Sequence, residues 1–171
     1  MPALAPGAQD TSDRNCGRSQ LGYEFTLAGG CFHAVSRRQH SVALDTATAE
    51  LFAASTAASD LINVTGVLRF ISFGVLCNDD TPVPIWCDNE ICVMVSKGES
   101  AEKRVAYAAR RCRFLQELTY FNFSKLYKIS GLVNPADLLT KYLAKDKWLE
   151  YATVLYNVPP GSLRMQKAAY S

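Results

Sequence analysis

The stretch Ile85–Met94, IWCDNEICVM, places an acidic residue between two apolar runs. The first run is typical of a short buried strand that ends at Cys87, and Asp88 follows it. A helical pattern then begins, with Asn89 or Asp88 suited to cap its first turn. Ligands in α/β sheets bind where strands end, so Asp88 is expected at a rim that a ligand can reach. Helix capping alone would also account for an aspartate at this position.

The composition is that of one globular domain. The chain has 171 residues, of which 49% are hydrophobic and 20% charged, enough to bury a sizeable core. Eighteen basic and sixteen acidic residues give a net charge of only +2, so a nucleic-acid surface would have to come from local clustering. The sequence carries no signal-peptide pattern, and polar residues interrupt its longest apolar stretch, about 62–77. We therefore expect a soluble intracellular protein with no membrane partner.

The cysteines do not indicate a metal site. The chain has six cysteines, none of them in a C-x-x-C pair, and only two histidines, His33 and His40. A zinc site needs closer ligand spacing. We expect reduced thiols, as is usual in a non-oxidising compartment.

Upstream of the quoted stretch, the pattern predicts a β-hairpin followed by a helix. Alternating residues from Leu21 and from Cys31 flank the turn Ala28–Gly30. Apolar residues then recur at helical spacing from Leu51, with Asp45 or Thr46 placed to cap the start. This helix is expected to end or kink near residue 66, or to continue to about residue 73.

Downstream, the pattern predicts a helix at about 101–118, a strand at about 123–130 and a helix at about 148–156. Between the last two, NPADLLTKYL (Asn134–Leu143) has a proline near a helix start and Asp137 in the first turn. This order of strands and helices predicts an α/β fold with a central mixed sheet, an N-terminal hairpin and helices on both faces.

Three stretches, taken in order, resemble one known family. They are GRSQLGYEFTLAGGCFHAVSRRQHSVALDTATAEL (Gly17–Leu51), PIWCDNEICVMV (Pro84–Val95) and NPADLLTKYL. Together they resemble the ribonuclease H domain at the end of copia-type retrotransposon Pol polyproteins. The resemblance covers about residues 10–145 and implies a ribonuclease H-like domain there. It leaves residues 1–9 as a loose lead-in, 146–157 as a C-terminal helix and 158–171 as a tail expected to be disordered.

The resemblance implies four catalytic, metal-binding carboxylates. Glu50, Asp88 and Asp137 match the family's helix, strand-end and last carboxylates. Asp10, in DTSDRN, matches the first, with Asp13 where an apolar residue is expected. The preceding ALAPGAQ is a poor strand because of its proline.

Four clustered carboxylates repel one another unless divalent cations neutralise them. Oxygen ligands favour Mg²⁺ or Mn²⁺, and two such ions roughly 3.5–4 Å apart can hydrolyse a phosphodiester. The resemblance implies that Asp10 and Asp88 bridge the two ions, with Glu50 on one and Asp137 on the other. Considered alone, Glu50 would be a solvated helix charge and Asp137 a partner of the helix dipole.

The implied substrate is an RNA–DNA hybrid, of which the RNA strand is cut, and the implied partner is the reverse transcriptase portion of the same polyprotein. A basic ridge on the long helix could track phosphates, although a charged helix face is by default only a soluble face. Its residues are Lys103, Arg104, Arg110, Arg111 and Arg113. Localisation would be cytoplasmic or nuclear. Two alternatives remain: a catalytically decayed remnant that serves as a structural or interaction module, and an integrase-type nuclease, which the closing motif disfavours.

Overall fold

The structure is a computed structural model that describes residues 18–75, 77, 80–99 and 107–158. Strands and helices alternate along the chain, and the predicted mixed α/β class is confirmed. The elements are β1 (Gln20–Leu27), β2 (Gly30–Arg38), α1 (Thr46–Ile71), β3 (Val83–Cys87), α2 (Glu90–Ser96), α3 (Ala109–Tyr120), β4 (Ser124–Lys128), a 3₁₀ helix (Pro135–Leu139) and α4 (Lys145–Leu155).

The predicted hairpin is formed by β1 and β2, which pair antiparallel. Its two turn residues, Ala28 and Gly29, both have positive φ, 51° and 82°. Two consecutive positive φ angles are typical of the two-residue turns whose twist matches that of the flanking strands. The glycine adopts this conformation without the steric cost that a side chain would bring.

The predicted helix after the hairpin is α1. The Asp45 side chain caps it by accepting a hydrogen bond from the Thr48 N–H at 2.6 Å. The helix runs through Gly66 without ending there, so the longer of the two expected forms is found. By length and hydropathy alone α1 could cross a membrane. In the fold, however, its fully buried Leu51 and Ala58 belong to the hydrophobic core.

Both hydrophobic clusters of the described chain are built on α1. The larger one joins α1 to β3, α2, α3 and β4, with Leu51, Val95 and Leu115 fully buried. In the smaller one, Leu21 and Tyr23 of β1 pack against Ala57. Since α1 contributes to both clusters, it holds the hairpin and the β3–β4 pair together.

The expected single central sheet is not found within the described residues. They form two separate two-stranded sheets, β1–β2 and the parallel pair β3–β4. A cleft of about 680 Å³ lies between them, lined by consecutive residues of β1 and of β3 and by one face of α1. Among the described residues each of these two strands has a partner on one side, and its other edge borders the cleft. The sequence pattern identified the strands correctly but did not determine which strands are neighbours.

Some predicted elements differ from the structure in extent or are described only in part. The helix expected at 101–118 is described only from Ala109 onward, and residues 101–106 lie outside the described part of the chain. NPADLLTKYL forms only a five-residue 3₁₀ helix, capped by the Asn134 side chain, which accepts from the Ala136 N–H. The predicted tail is described only at Val158.

The 3₁₀ helix packs very closely on β1 at Gly22. A Cβ atom at this position would lie 2.6 Å from Leu139 Cβ and 2.7 Å from Thr140 Cγ2. Such distances are well below van der Waals contact. Glycine is therefore required for the 3₁₀ helix, which carries Asp137, to reach the hairpin.

We expect Gly22→Ala to destabilise the fold by about 1–3 kcal/mol, since the added methyl group overpacks the contact with the 3₁₀ helix. The free energy of unfolding, measured by chemical denaturation, tests this. Gly66→Ala is the matched control: nothing lies within 4 Å of its added Cβ, and an exposed helix interior gains about 0.5–1 kcal/mol from this exchange. Equal effects of the two substitutions would contradict the close packing at Gly22.

Candidate metal centre and active site

Three carboxylates from distant parts of the chain line one small pocket. Glu50 lies in the second turn of α1, Asp88 follows the last residue of β3, and Asp137 lies in the 3₁₀ helix. Gln20 and Gly22 of β1 line the same pocket. The pocket has a volume of about 40 Å³, room for waters or small ions. The structure thus brings together three of the four carboxylates that the sequence singled out.

The carboxylates of Glu50 and Asp88 are close enough to bind the same ligand. A carboxylate oxygen of Glu50, a carboxylate oxygen of Asp88 and the Cys87 Sγ all lie within 4.8 Å of one another. The Lys141 Nζ lies 2.9 Å from Asp137 Oδ1 and 3.8 Å from Asp88 Oδ2. Through this ammonium group Asp137 is linked to Asp88.

The local electrostatics reflect this crowding. Burial raises the pKa of Glu50, and the negative charges of Asp88 and Asp137 raise it further, against the opposing effect of Lys141. The hydrogen bond to Asp137 raises the pKa of Lys141. Three carboxylates against one ammonium group leave the pocket with an excess of negative charge when all of them are ionised.

These residues fit a hard divalent cation. Carboxylate oxygens are the ligands that Mg²⁺ and Mn²⁺ prefer, and an added cation would relieve the repulsion felt by Glu50. The nearby thiol is already engaged: Cys87 Sγ accepts from the Asn89 N–H at 3.4 Å. A thiolate is a softer ligand than Mg²⁺ and Mn²⁺ prefer, so the carboxylates are the donors that suit these ions.

The structure does not support helix capping as the role of Asp88 or a solvated helix charge as the role of Glu50. Asn89, not Asp88, caps α2, and its side-chain oxygen accepts from the Ile91 and Cys92 N–H groups at 2.9 and 3.3 Å. Glu50 is partly buried rather than solvated. Asp137 is 9% exposed and pairs with a lysine.

The other predicted site residues either lie outside the described part of the chain or belong to α3. Asp10, Lys103 and Arg104 lie outside the described residues. Of the remaining basic ridge, Arg110 and Arg113 are exposed on α3.

The expectation that Arg111 faces solvent is wrong. Its guanidinium group donates to Ser55 Oγ at 2.7 Å and lies 4.9 Å from the centre of the Phe52 ring. Arg111 therefore links α3 to α1 through a hydrogen bond and a cation–π contact.

Lys141 was missed by the sequence reasoning, although it lies within the closing motif. The available signal was its position four residues after Asp137, a spacing at which a lysine and an acid can pair. That spacing is defined for regular helices, whereas this segment is a 3₁₀ turn followed by irregular chain.

Comparison with known proteins identifies one relative. The chain is 29% identical over 131 residues to the protein described as "Retrovirus-related Pol polyprotein from transposon TNT 1-94" of Nicotiana tabacum. The chain is similar to a retrotransposon Pol polyprotein. The match covers 77% of this chain and 10% of the relative, so the chain spans about a tenth of that polyprotein. No family model matches the chain, and no solved structure matches it either. The expected relation to a Pol polyprotein is confirmed at this level.

In the metal-free chain we expect Glu50→Gln to raise the midpoint of thermal unfolding at pH 7. The pKa of Glu50 is raised in the folded state, so ionisation of its carboxyl group at pH 7 destabilises the fold. Glutamine carries no charge and avoids this destabilisation. Below the ordinary pKa of about 4.5 the carboxyl group is protonated in both states. The gain should therefore disappear as the pH falls through that region.

Thermal unfolding in the presence of a chelator, at pH 7 and at pH 4, measures this difference. Glu117→Gln, at an exposed position on α3, is the matched control and should not reproduce the gain at pH 7. A Glu50→Gln variant no more stable than the parent at pH 7 would show that the acids do not strain the pocket.

Proposed function

We propose that this chain is a ribonuclease H-type domain of retrotransposon Pol origin that cuts the RNA strand of RNA–DNA hybrids with two Mg²⁺ or Mn²⁺ ions. The observation that carries the proposal is the convergence of Glu50, Asp88 and Asp137 on one pocket. These three acids come from separate elements, and each was singled out by a different motif. The similarity to a Pol polyprotein supports the same origin.

A complete ribonuclease H-like fold requires one more strand, and the cleft between β1 and β3 is a suitable place for it. β1 begins beside the acidic pocket, with Gln20, whereas β3 ends beside it, with Asp88. A strand that fills the cleft and ends at the pocket would run antiparallel to β1 and parallel to β3. We propose that Asp10, which lies outside the described residues, supplies the fourth carboxylate of the site.

The residues of the site would divide the work as follows. Asp10 and Asp88 would hold both ions, Glu50 one of them and Asp137 the other. The bound metals supply an activated water and stabilise the leaving oxygen. Asp137, which is buried, and Glu50, which is partly buried, would fix the positions of the ions because packing limits the movement of their side chains.

Substrate binding is proposed on the basic side of the chain. A hybrid duplex is recognised by its phosphates and 2′-hydroxyls across a shallow minor groove. Arg110 and Arg113 are exposed and could contact phosphates together with Lys103 and Arg104, whereas Arg111 would contribute less because it is bound to α1. The reverse transcriptase portion of a polyprotein is the proposed partner, in the cytoplasm or the nucleus.

One observation favours a second candidate, a decayed remnant that serves as an interaction module. Lys141 forms ion pairs with two of the pocket carboxylates, and a proline interrupts the segment before Asp10. A pocket held together by a lysine could remain folded after catalysis is lost. Activity measurements distinguish the two candidates.

We expect Asp88→Asn to lower Mg²⁺-dependent cleavage of a labelled RNA–DNA hybrid by roughly 100-fold or more, since it removes a carboxylate proposed to hold both ions. The circular dichroism spectrum should stay that of the parent, because Asn89 provides the helix cap. Cleavage by the parent that needs no divalent ion, or that survives this substitution, would contradict the proposed mechanism. A parent that does not cleave at all would favour the remnant.

The fourth carboxylate is tested by a pair of neighbouring substitutions. We expect Asp10→Asn to lower hybrid cleavage as strongly as Asp88→Asn does, whereas Asp13→Asn should leave cleavage close to that of the parent. The assay is again initial rate at saturating Mg²⁺. Loss of activity in Asp13→Asn alone would assign the first carboxylate to Asp13, and no loss in either variant would reject Asp10 as a metal ligand.

A further inference from the structure

Lys141 stands next to the acids because the backbone places it there. It follows the 3₁₀ helix, and its N–H donates to the Asp137 carbonyl oxygen at 2.9 Å. From this position its Nζ contacts Asp137 Oδ1 at 2.9 Å and lies 3.8 Å from Asp88 Oδ2. The other nearby lysine, Lys128, donates to the Asp88 main-chain carbonyl instead. Within the described part of the chain, Lys141 is thus the lysine that forms ion pairs with the carboxylates of Asp88 and Asp137.

We infer that Lys141 is the built-in counterion of the metal-free pocket, and that a divalent cation binds by displacing its ammonium group. This inference rests on the proposed function, because it assumes that the pocket binds a metal. Asp137 Oδ1 and Asp88 Oδ2 both face the ammonium group. A metal bound to these oxygens would compete with the lysine for them, and the two positive charges would repel each other.

The two sides of these ion pairs differ in their freedom to move. The side chain of Lys141 is 51% exposed, whereas those of Asp88 and Asp137 are 20% and 12% exposed. A half-exposed lysine on a flexible four-carbon stem can turn its ammonium group into water at little cost. A largely buried aspartate cannot turn toward water without exposing the side chains packed around it. When a metal enters, the lysine is the group that moves.

This arrangement gives Lys141 two opposite effects. Without metal it relieves the repulsion among Glu50, Asp88 and Asp137, and so stabilises the fold. Toward metal it is a competitor that weakens binding. A lysine with a purely structural role would stabilise the fold but would not weaken metal binding.

The test is Mn²⁺ binding by the purified full chain, followed by the electron paramagnetic resonance of free Mn²⁺ at pH 7. We expect Lys141→Met to bind Mn²⁺ roughly tenfold more tightly than the parent and to unfold at a lower temperature when no metal is present. Saturating Mn²⁺ should remove most of that thermal difference. Lys141→Gln keeps a hydrogen-bond donor for Asp137 without the charge and should also bind Mn²⁺ more tightly, which separates charge from packing.

Lys97→Met is the matched control, because it removes the same charge from an exposed position after α2. It should bind Mn²⁺ as the parent does. If the parent binds Mn²⁺ but both Lys141 variants bind with unchanged or lower affinity, the counterion role is wrong while the metal site stands. If neither the parent nor any variant binds Mn²⁺, the metal site itself is wrong, and the proposed function is rejected with it.

Discussion

Three carboxylates in one small, partly buried pocket can be ionised together only where positive charge lies among them. In this chain the repulsion is visible in Glu50, whose pKa is raised by burial and by the two aspartates. Lys141 supplies one compensating charge through its contacts with Asp137 and Asp88. An excess of negative charge attracts divalent cations, and this is the basis of the proposed metal site.

Packing contacts around the pocket bring these acids together. Helix α1 packs Ala54 and Ala58 into the cluster shared with β3 and β4, and Ala57 against the hairpin. This packing holds Glu50 near the end of β3. Gly22 lets the 3₁₀ helix approach β1 until Leu139 and Thr140 are in contact with its backbone. Glu50 and Asp137 are thereby positioned by packing contacts that do not involve the acids themselves.

Much of this could be predicted from the sequence, and the exceptions have physical reasons. The hairpin, α1 and the acid after β3 follow from alternation, helical spacing and capping, which are local signals. The separation into two sheets depends on which strand edges meet, and residue periodicity does not encode that. Arg111 was expected in solvent because its neighbours are, yet stacking on Phe52 and bonding to Ser55 depend on where α1 lies. Lys141 was missed although it follows Asp137 by four residues, because its second contact, with Asp88, depends on where β3 ends.

Anomalous diffraction from crystals soaked in Mn²⁺ would test the proposed two-metal site most directly. Two-metal catalysis predicts two Mn²⁺ peaks roughly 3.5–4 Å apart, bound by carboxylate oxygens of Glu50, Asp88 and Asp137, with the Lys141 ammonium group no longer in contact with the aspartates. Peaks elsewhere on the surface, or a pocket still closed by Lys141 at saturating Mn²⁺, would contradict it.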